Sequence, residues 1–221
     1  MKLLVEALTK FACGLLLVGL LIFLPAGTLS YTYGWLFVSL LFVPMLIVGF
    51  VMLAKSPAFL KKRLDAKEKQ GTQKGVVAVA GLMFIAGFVV AGLDFRFGWS
   101  TMPTWVTITA SVLFLIAYAL YAEVMRENAY LSRTIKVEQG QKVVDTGLYG
   151  IVRHPMYAVT ILLFLMIPLV LGSWYALIAF AFYPAIIIVR LKDEEALLTR
   201  ELPGYEAYKE KVKYRIIPLI W

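Results

Sequence analysis

Residues 155–190 read PMYAVTILLFLMIPLVLGSWYALIAFAFYPAIIIVR, and no charge falls between Pro155 and Arg190. A helix needs about 20 apolar residues to cross the hydrocarbon core of a bilayer. The apolar run from Tyr157 to Val189 is too long for one crossing, and Gly172-Ser173 punctuates it as a tight turn would. The stretch therefore predicts an antiparallel hairpin. Pro155 to Leu171 and Trp174 to Arg190 are arms of equal length, so Arg190 returns level with Pro155, at a helix separation of roughly 8–10 Å. Pro155 keeps His154 out of helical backbone angles and suits a first helical position. The expectation is a helix starting at Pro155, with the amides of Met156, Tyr157 and Ala158 free. Such donors favour an anion or a ribose hydroxyl.

Working outward, four more apolar runs precede the hairpin: Phe11 to Ala26, Gly34 to Ala54, Gly75 to Leu93 and Met102 to Ala122. The whole chain is 61% hydrophobic and 16% charged, against about 25% charge in soluble domains. The fold class that follows is all-α: a polytopic membrane protein with about six transmembrane helices. Pro44, Pro168 and Pro184 fall inside spans and are expected to kink them. Lys2 and Lys10 ahead of the first run imitate a signal peptide. An uncleaved span is preferred, because six spans bring both ends to one side. With that side cytoplasmic, Arg96 is alone among the 22 lysines and arginines on the opposite side. Such asymmetry orients the chain by the positive-inside rule, with both termini in the cytoplasm. The host membrane would be the inner membrane of a prokaryote or the endoplasmic reticulum of a eukaryote.

The net charge of +8 is accounted for by those loops facing anionic lipid, so no nucleic-acid partner is expected. Cys13 and His154 are the lone residues of their kinds, so neither a disulfide nor a metal site is expected. The apolar runs lack ionisable residues, which argues against transport. Two parts follow. Residues 1–122 hold four N-terminal spans with a basic cytoplasmic loop at 55–74, and residues 123–221 hold a functional core. That core comprises a cytoplasmic connector, the hairpin 155–190 and C-terminal cytoplasmic helices. The connector, Glu123 to Pro155, is long for a linker and reads as functional. The Ser56 to Lys74 loop reads as a basic amphipathic stretch on the lipid surface.

Chemistry concentrates in 146–157, TGLYGIVRHPMY, and beyond Arg190 in LKDEEALLTRELPGYEAYKEKVKYRIIPLIW. Singly, Arg153 reads as an anchor that snorkels to the headgroups, and Tyr149 and Tyr157 as belt aromatics. Asp193, Glu194 and Glu195 read as a solvated helix face. Glu194 lies four residues after Arg190, so the two share a face if the last helix runs on past the membrane. Pro203-Gly204 breaks that helix, and a second piece then sets Tyr205 and Tyr208 on one face.

Taken in order, these motifs resemble the isoprenylcysteine carboxyl methyltransferase family and the related phospholipid N-methyltransferases. The matching residues are Gln141-Lys142-Val143-Val144, Gly147-Leu148-Tyr149, Arg153-His154-Pro155-Met156-Tyr157, Arg190, Glu194-Glu195 and Tyr205-Glu206-Ala207-Tyr208. The resemblance implies an S-adenosylmethionine-dependent integral-membrane enzyme with a cytosolic cofactor pocket and a lipophilic substrate drawn from the bilayer. By that analogy Gln141, Lys142, Val143, Val144, Gly147, Tyr149, His154, Pro155, Met156, Tyr157 and Glu194 belong to the cofactor site. Arg190 would meet the carboxylate of an isoprenylcysteine-like or prenylated acid. For an amine acceptor, Glu195 or Glu194 would be the base. Two departures touch the cofactor contacts: Ala158-Val159 stand where some members have a small residue and glycine, and Gln141 stands where histidine is frequent. The rival reading is an NADPH-dependent membrane sterol or steroid reductase, which shares a His-Pro-x-Tyr segment and a tail like 212–218.

Overall fold

The computed structural model describes residues 2–64, 71–132 and 134–221; Lys67, Lys69 and Arg133, counted above among the basic loops, lie outside them. The long helices are α1 (Lys2–Ala26), α2 (Thr32–Lys55), α4 (Gly71–Phe97) and α5 (Thr104–Glu127), with a short α3 (Pro57–Leu64) between the second and third of them. A 3-10 turn at Gly147–Gly150 leads into α6 (Pro155–Val170), α7 (Trp174–Phe180), α8 (Tyr183–Glu201) and α9 (Tyr205–Lys211). No strand occurs among the described residues. Large apolar side chains point outward along the long helices: Leu24 is 74% exposed, Leu82 66% and Trp105 69%. Water would penalise that surface, whereas lipid accepts it, and helices satisfy their own backbone groups there.

Among the described residues, five segments are long and apolar enough to cross a membrane: α1, α2, α4 from Gln73 onward, α5 and the α7–α8 arm. The fifth predicted span, α6, is shorter at 16 residues, or about 24 Å. The expected hairpin forms. Its turn needs glycine at 172, because φ is +72° and an added Cβ would lie 2.7 Å from the Tyr33 ring. Ser173 caps α7 by accepting from the Ala176 amide at 3.0 Å and donates its own hydroxyl to Asp94. Asp94, 2% exposed, also accepts from the Ser100 amide at 2.8 Å and hydroxyl at 2.7 Å. The apolar run that ended at Leu93 thus continues as helix to Phe97, carrying a buried carboxylate that its neighbours satisfy.

Pro184 does more than kink the second arm. It has no N–H to give the carbonyl of Phe180, and the helix breaks between Phe180 and Tyr183. Past that break α8 runs through Arg190 to Glu201 without interruption. The core where α4, α6 and α7 meet is aromatic: Phe84 packs edge-on against Phe164 at 4.8 Å and Phe180 at 5.5 Å. Each such pair adds about 1 kcal/mol beyond its buried area. The hairpin is thereby fixed at its turn and along its length, so the spacing of its two open ends is set by packing.

Candidate active site

At those open ends the chain changes from apolar to polar, and a cleft partly open to solvent lies among α6, α8, α9 and the 128–144 connector. Arg190 and the start of α6 do meet. The Arg190 Nε donates to the Tyr157 hydroxyl at 3.2 Å, and that hydroxyl donates to Glu194 Oε2. The unbroken run of α8 sets Arg190 and Glu194 four residues apart on one face, and both line the cavity.

Of the residues named for the cofactor, Gln141, Lys142, Val143, Val144, Tyr149, His154, Met156, Tyr157 and Glu194 all line this cavity. Three named residues stand apart from its wall. Gly147 makes the 3-10 turn with φ +53°, and an added Cβ would lie 2.7 Å from the Glu127 carboxyl carbon. Pro155 starts α6 and is buried beneath the cavity lining. Glu195 turns away from the cavity: Arg153 Nε and Arg215 Nε each donate to it at 2.7 Å, and His154 Nε2 lies 3.3 Å from Oε1. A carboxylate held by two guanidinium groups is a poor proton acceptor. Glu195, named as a catalytic base, is placed as an anchor for His154 and the C-terminal tail.

Two further expectations are corrected. Arg153 does not snorkel; it is 8% exposed and also donates to the carbonyls of Val212 at 2.8 Å and Lys213 at 2.9 Å. Two of the three amides expected to be free at the start of α6, those of Tyr157 and Ala158, are already engaged. They donate to the His154 carbonyl at 3.0 and 3.2 Å, because His154 is held extended enough to fold its carbonyl over the helix start.

Asn128 had no signal in the sequence, whereas Tyr208 and Tyr205 stand in the motif that carries the resemblance. Asn128 donates from Nδ2 to the Tyr149 hydroxyl at 3.0 Å, and Tyr208 donates to the Tyr149 carbonyl at 2.7 Å. Tyr205 and Tyr208 are buried in a small cluster with Leu202 and Val212, against Val137, Val143 and Leu198. Burial pushes the hydroxyls of Tyr149, Tyr205 and Tyr208 well above their ordinary range, so all three stay protonated at neutral pH. The tail closes the back of the site: the amides of Arg153 and His154 donate to the carbonyls of Tyr214 and Arg215. The basic 56–74 loop is also drawn inward where it is described. Lys62 pairs with Glu138 at 2.7 Å, and Arg63 donates to the Tyr121 hydroxyl.

The chemistry of this set suits a ligand with both flat and charged parts. Leu197, Leu198, Leu202, Val143 and Tyr205 offer an apolar and aromatic wall, Glu194 a carboxylate, and Lys136 and Lys142 cations. Among the described residues no cluster of His, Cys, Asp and Glu could hold a metal ion. Comparison with known proteins bears on the same region. The sequence model of the isoprenylcysteine carboxyl methyltransferase family matches residues 106–200, from α5 through α8. A Bacillus subtilis (strain 168) protein, Uncharacterized protein YpbQ, is 30% identical over 96 residues, covering 43% of this chain and 57% of that protein. The chain thus spans little more than half the length of the curated relative it matches. The stretch from α5 to α8, which supplies Tyr149, His154, Tyr157, Arg190 and Glu194, is thus similar in sequence to the isoprenylcysteine carboxyl methyltransferase family.

Proposed function

We propose that this protein is an integral-membrane methyltransferase that binds S-adenosylmethionine in the cavity and methylates the carboxylate of a lipophilic, isoprenylcysteine-like acid. The observation that carries the reading is the meeting of Arg190, Tyr157 and Glu194 on one wall, cation and carboxylate bridged by a phenol. S-adenosylmethionine, when bound, supplies a methyl group on a positively charged sulfur. Glu194 and the residues from Gln141 to Val144 would hold the polar parts of that ligand, and Tyr205 with its leucine neighbours the flat part.

The remaining work falls to residues of this chain. Arg190 is permanently charged and can hold one oxygen of a carboxylate while leaving the other free to attack. Tyr157 fixes the guanidinium plane, which matters because a displacement of about 1 Å costs roughly a hundredfold in rate. The leucines and buried tyrosines exclude water from the attacking oxygen. An ionised acid has no proton to lose, so an ester-forming site needs no free base. The commitment of Glu195 to Arg153 and Arg215 is consistent with that chemistry. The cavity end of the bundle also gathers the basic loops, which favours a cytoplasmic setting with both termini on that side.

Binding of labelled S-adenosylmethionine and of NADPH to the purified protein in detergent tests the reading. Saturable binding of the sulfonium cofactor, undisturbed by NADPH, is expected. Saturable NADPH binding instead would move the protein to the reductases, and binding of neither would overturn the proposal.

A further inference from the structure

Gln73 lies in the first turn of α4, outside the family-matched stretch, and is fully buried at 0% exposure. Its Oε1 accepts from Arg190 Nη1 at 3.1 Å, and its Nε2 donates to Asp193 Oδ2 at 2.7 Å. The two partners fix which way the amide points. Arginine only donates and aspartate only accepts, so a flipped amide would set donor against donor and acceptor against acceptor. A buried amide has no water to turn to instead. The Arg190 guanidinium is thus gripped from two sides, at Nε by Tyr157 of α6 and at Nη1 by Gln73 of α4. Asp193 and Arg190 are three residues apart on α8, so the amide spans one turn of that helix.

We infer that Gln73 is a positioning residue for acceptor recognition: through Arg190 it sets the direction in which the guanidinium presents itself to the carboxylate of the lipophilic substrate. The inference rests on the proposed role of Arg190 and extends it to the N-terminal half of the chain. A neutral amide at this position does what a carboxylate could not. Glutamate would pair with Arg190 through a charge-assisted bond and compete with the substrate acid for it, while repelling Asp193. An isosteric apolar residue would keep the volume and release the grip. Because Gln73 does not line the cavity, neither change touches the cofactor wall.

The test uses the full-length protein in detergent–lipid micelles, with S-adenosylmethionine and N-acetyl-S-farnesyl-cysteine as the acid probe. Gln73→Glu should raise the KM for the acid at least tenfold, and Gln73→Leu about three- to tenfold. Both should leave the Kd for S-adenosylmethionine within twofold of the native value. Thermal unfolding of both variants reports whether they remain folded, and retained cofactor binding does so independently. An unchanged KM in a folded Gln73→Glu protein would overturn the inference, as would a loss confined to cofactor binding. Arg190→Ala separates the two levels: if it abolishes transfer while Gln73→Glu leaves KM unmoved, only the role of Gln73 fails. If Arg190→Ala leaves transfer intact, or the native protein does not methylate the acid, the reading of the site fails and this inference with it.

Discussion

The two ends of the α6–α8 hairpin each hold buried carboxylates, and they are built differently. At the turn, Asp94 is closed over by Ser100 and Ser173, with hydrogen bonds from two hydroxyls and an amide. At the open end, Glu195 is closed in the same way by Arg153 and Arg215, but Glu194 and Arg190 next to it line an open cavity. Neighbouring glutamates on one helix thus stand differently, one held between two guanidinium groups and one on the cavity wall. A buried polar group enclosed by its partners stabilises the fold; one that also lines a cavity can meet a ligand there.

That contrast can be broken at several points. The largest effect is expected from Arg190→Ala, which should lower methyl transfer to an acid acceptor about a thousandfold, equivalent to about 4 kcal/mol, with cofactor binding still measurable. Kinetics with a farnesylated cysteine would read this. A drop of less than tenfold would mean that the acceptor is held elsewhere. Next comes Glu195→Gln, which leaves Arg153 without its buried counter-charge. Breaking such a pair costs about 3–5 kcal/mol, so thermal unfolding should fall well below the native midpoint, with weakened cofactor binding through His154.

Asp94→Asn should be milder, about 2 kcal/mol from weakened hydroxyl bonds, and should leave the affinity for S-adenosylmethionine unchanged. A change in that affinity would show that the turn and the cavity are coupled rather than separate. The smallest effect concerns the clip between Lys211 and Asp145 at 2.6 Å. The Lys211 hydrogen bond and charge hold the Asp145 carboxyl below its ordinary value of 3.8. The clip therefore contributes above pH 3.8 and is lost as pH falls through the lowered value. Lys211→Met should shift the unfolding midpoint slightly at pH 7 and not at all once Asp145 is protonated.

Much of this architecture could be read from residue order. The apolar runs, the turn at Gly172-Ser173 and the return of Arg190 to the level of Pro155 all follow from span length and punctuation. Glu194 on the face of Arg190 follows from helical periodicity. What could not be read depends on contacts between distant parts of the chain. Nothing local distinguishes Gln73 from other polar residues of a basic loop, and Arg153 as a buried strut needs the tail at Val212 and Lys213 in place. Two of the three free amides expected at the start of α6, those of Tyr157 and Ala158, were lost to the His154 carbonyl, a detail of one residue's backbone angles. Pro184 was expected to bend the helix, and only the packing of Phe180 and Tyr183 against Phe84 shows how a full break is accommodated.

The central claim is that the cavity hosts methyl transfer to a carboxylate held by Arg190. Its most direct test is the alkali stability of label transferred from methyl-labelled S-adenosylmethionine to a farnesylated cysteine by the purified protein. Methyl esters hydrolyse in alkali to volatile methanol, whereas N-methyl groups do not. Base-labile label, absent with Arg190→Ala, is the predicted result; base-stable label, or base-labile label undiminished in that variant, would contradict it.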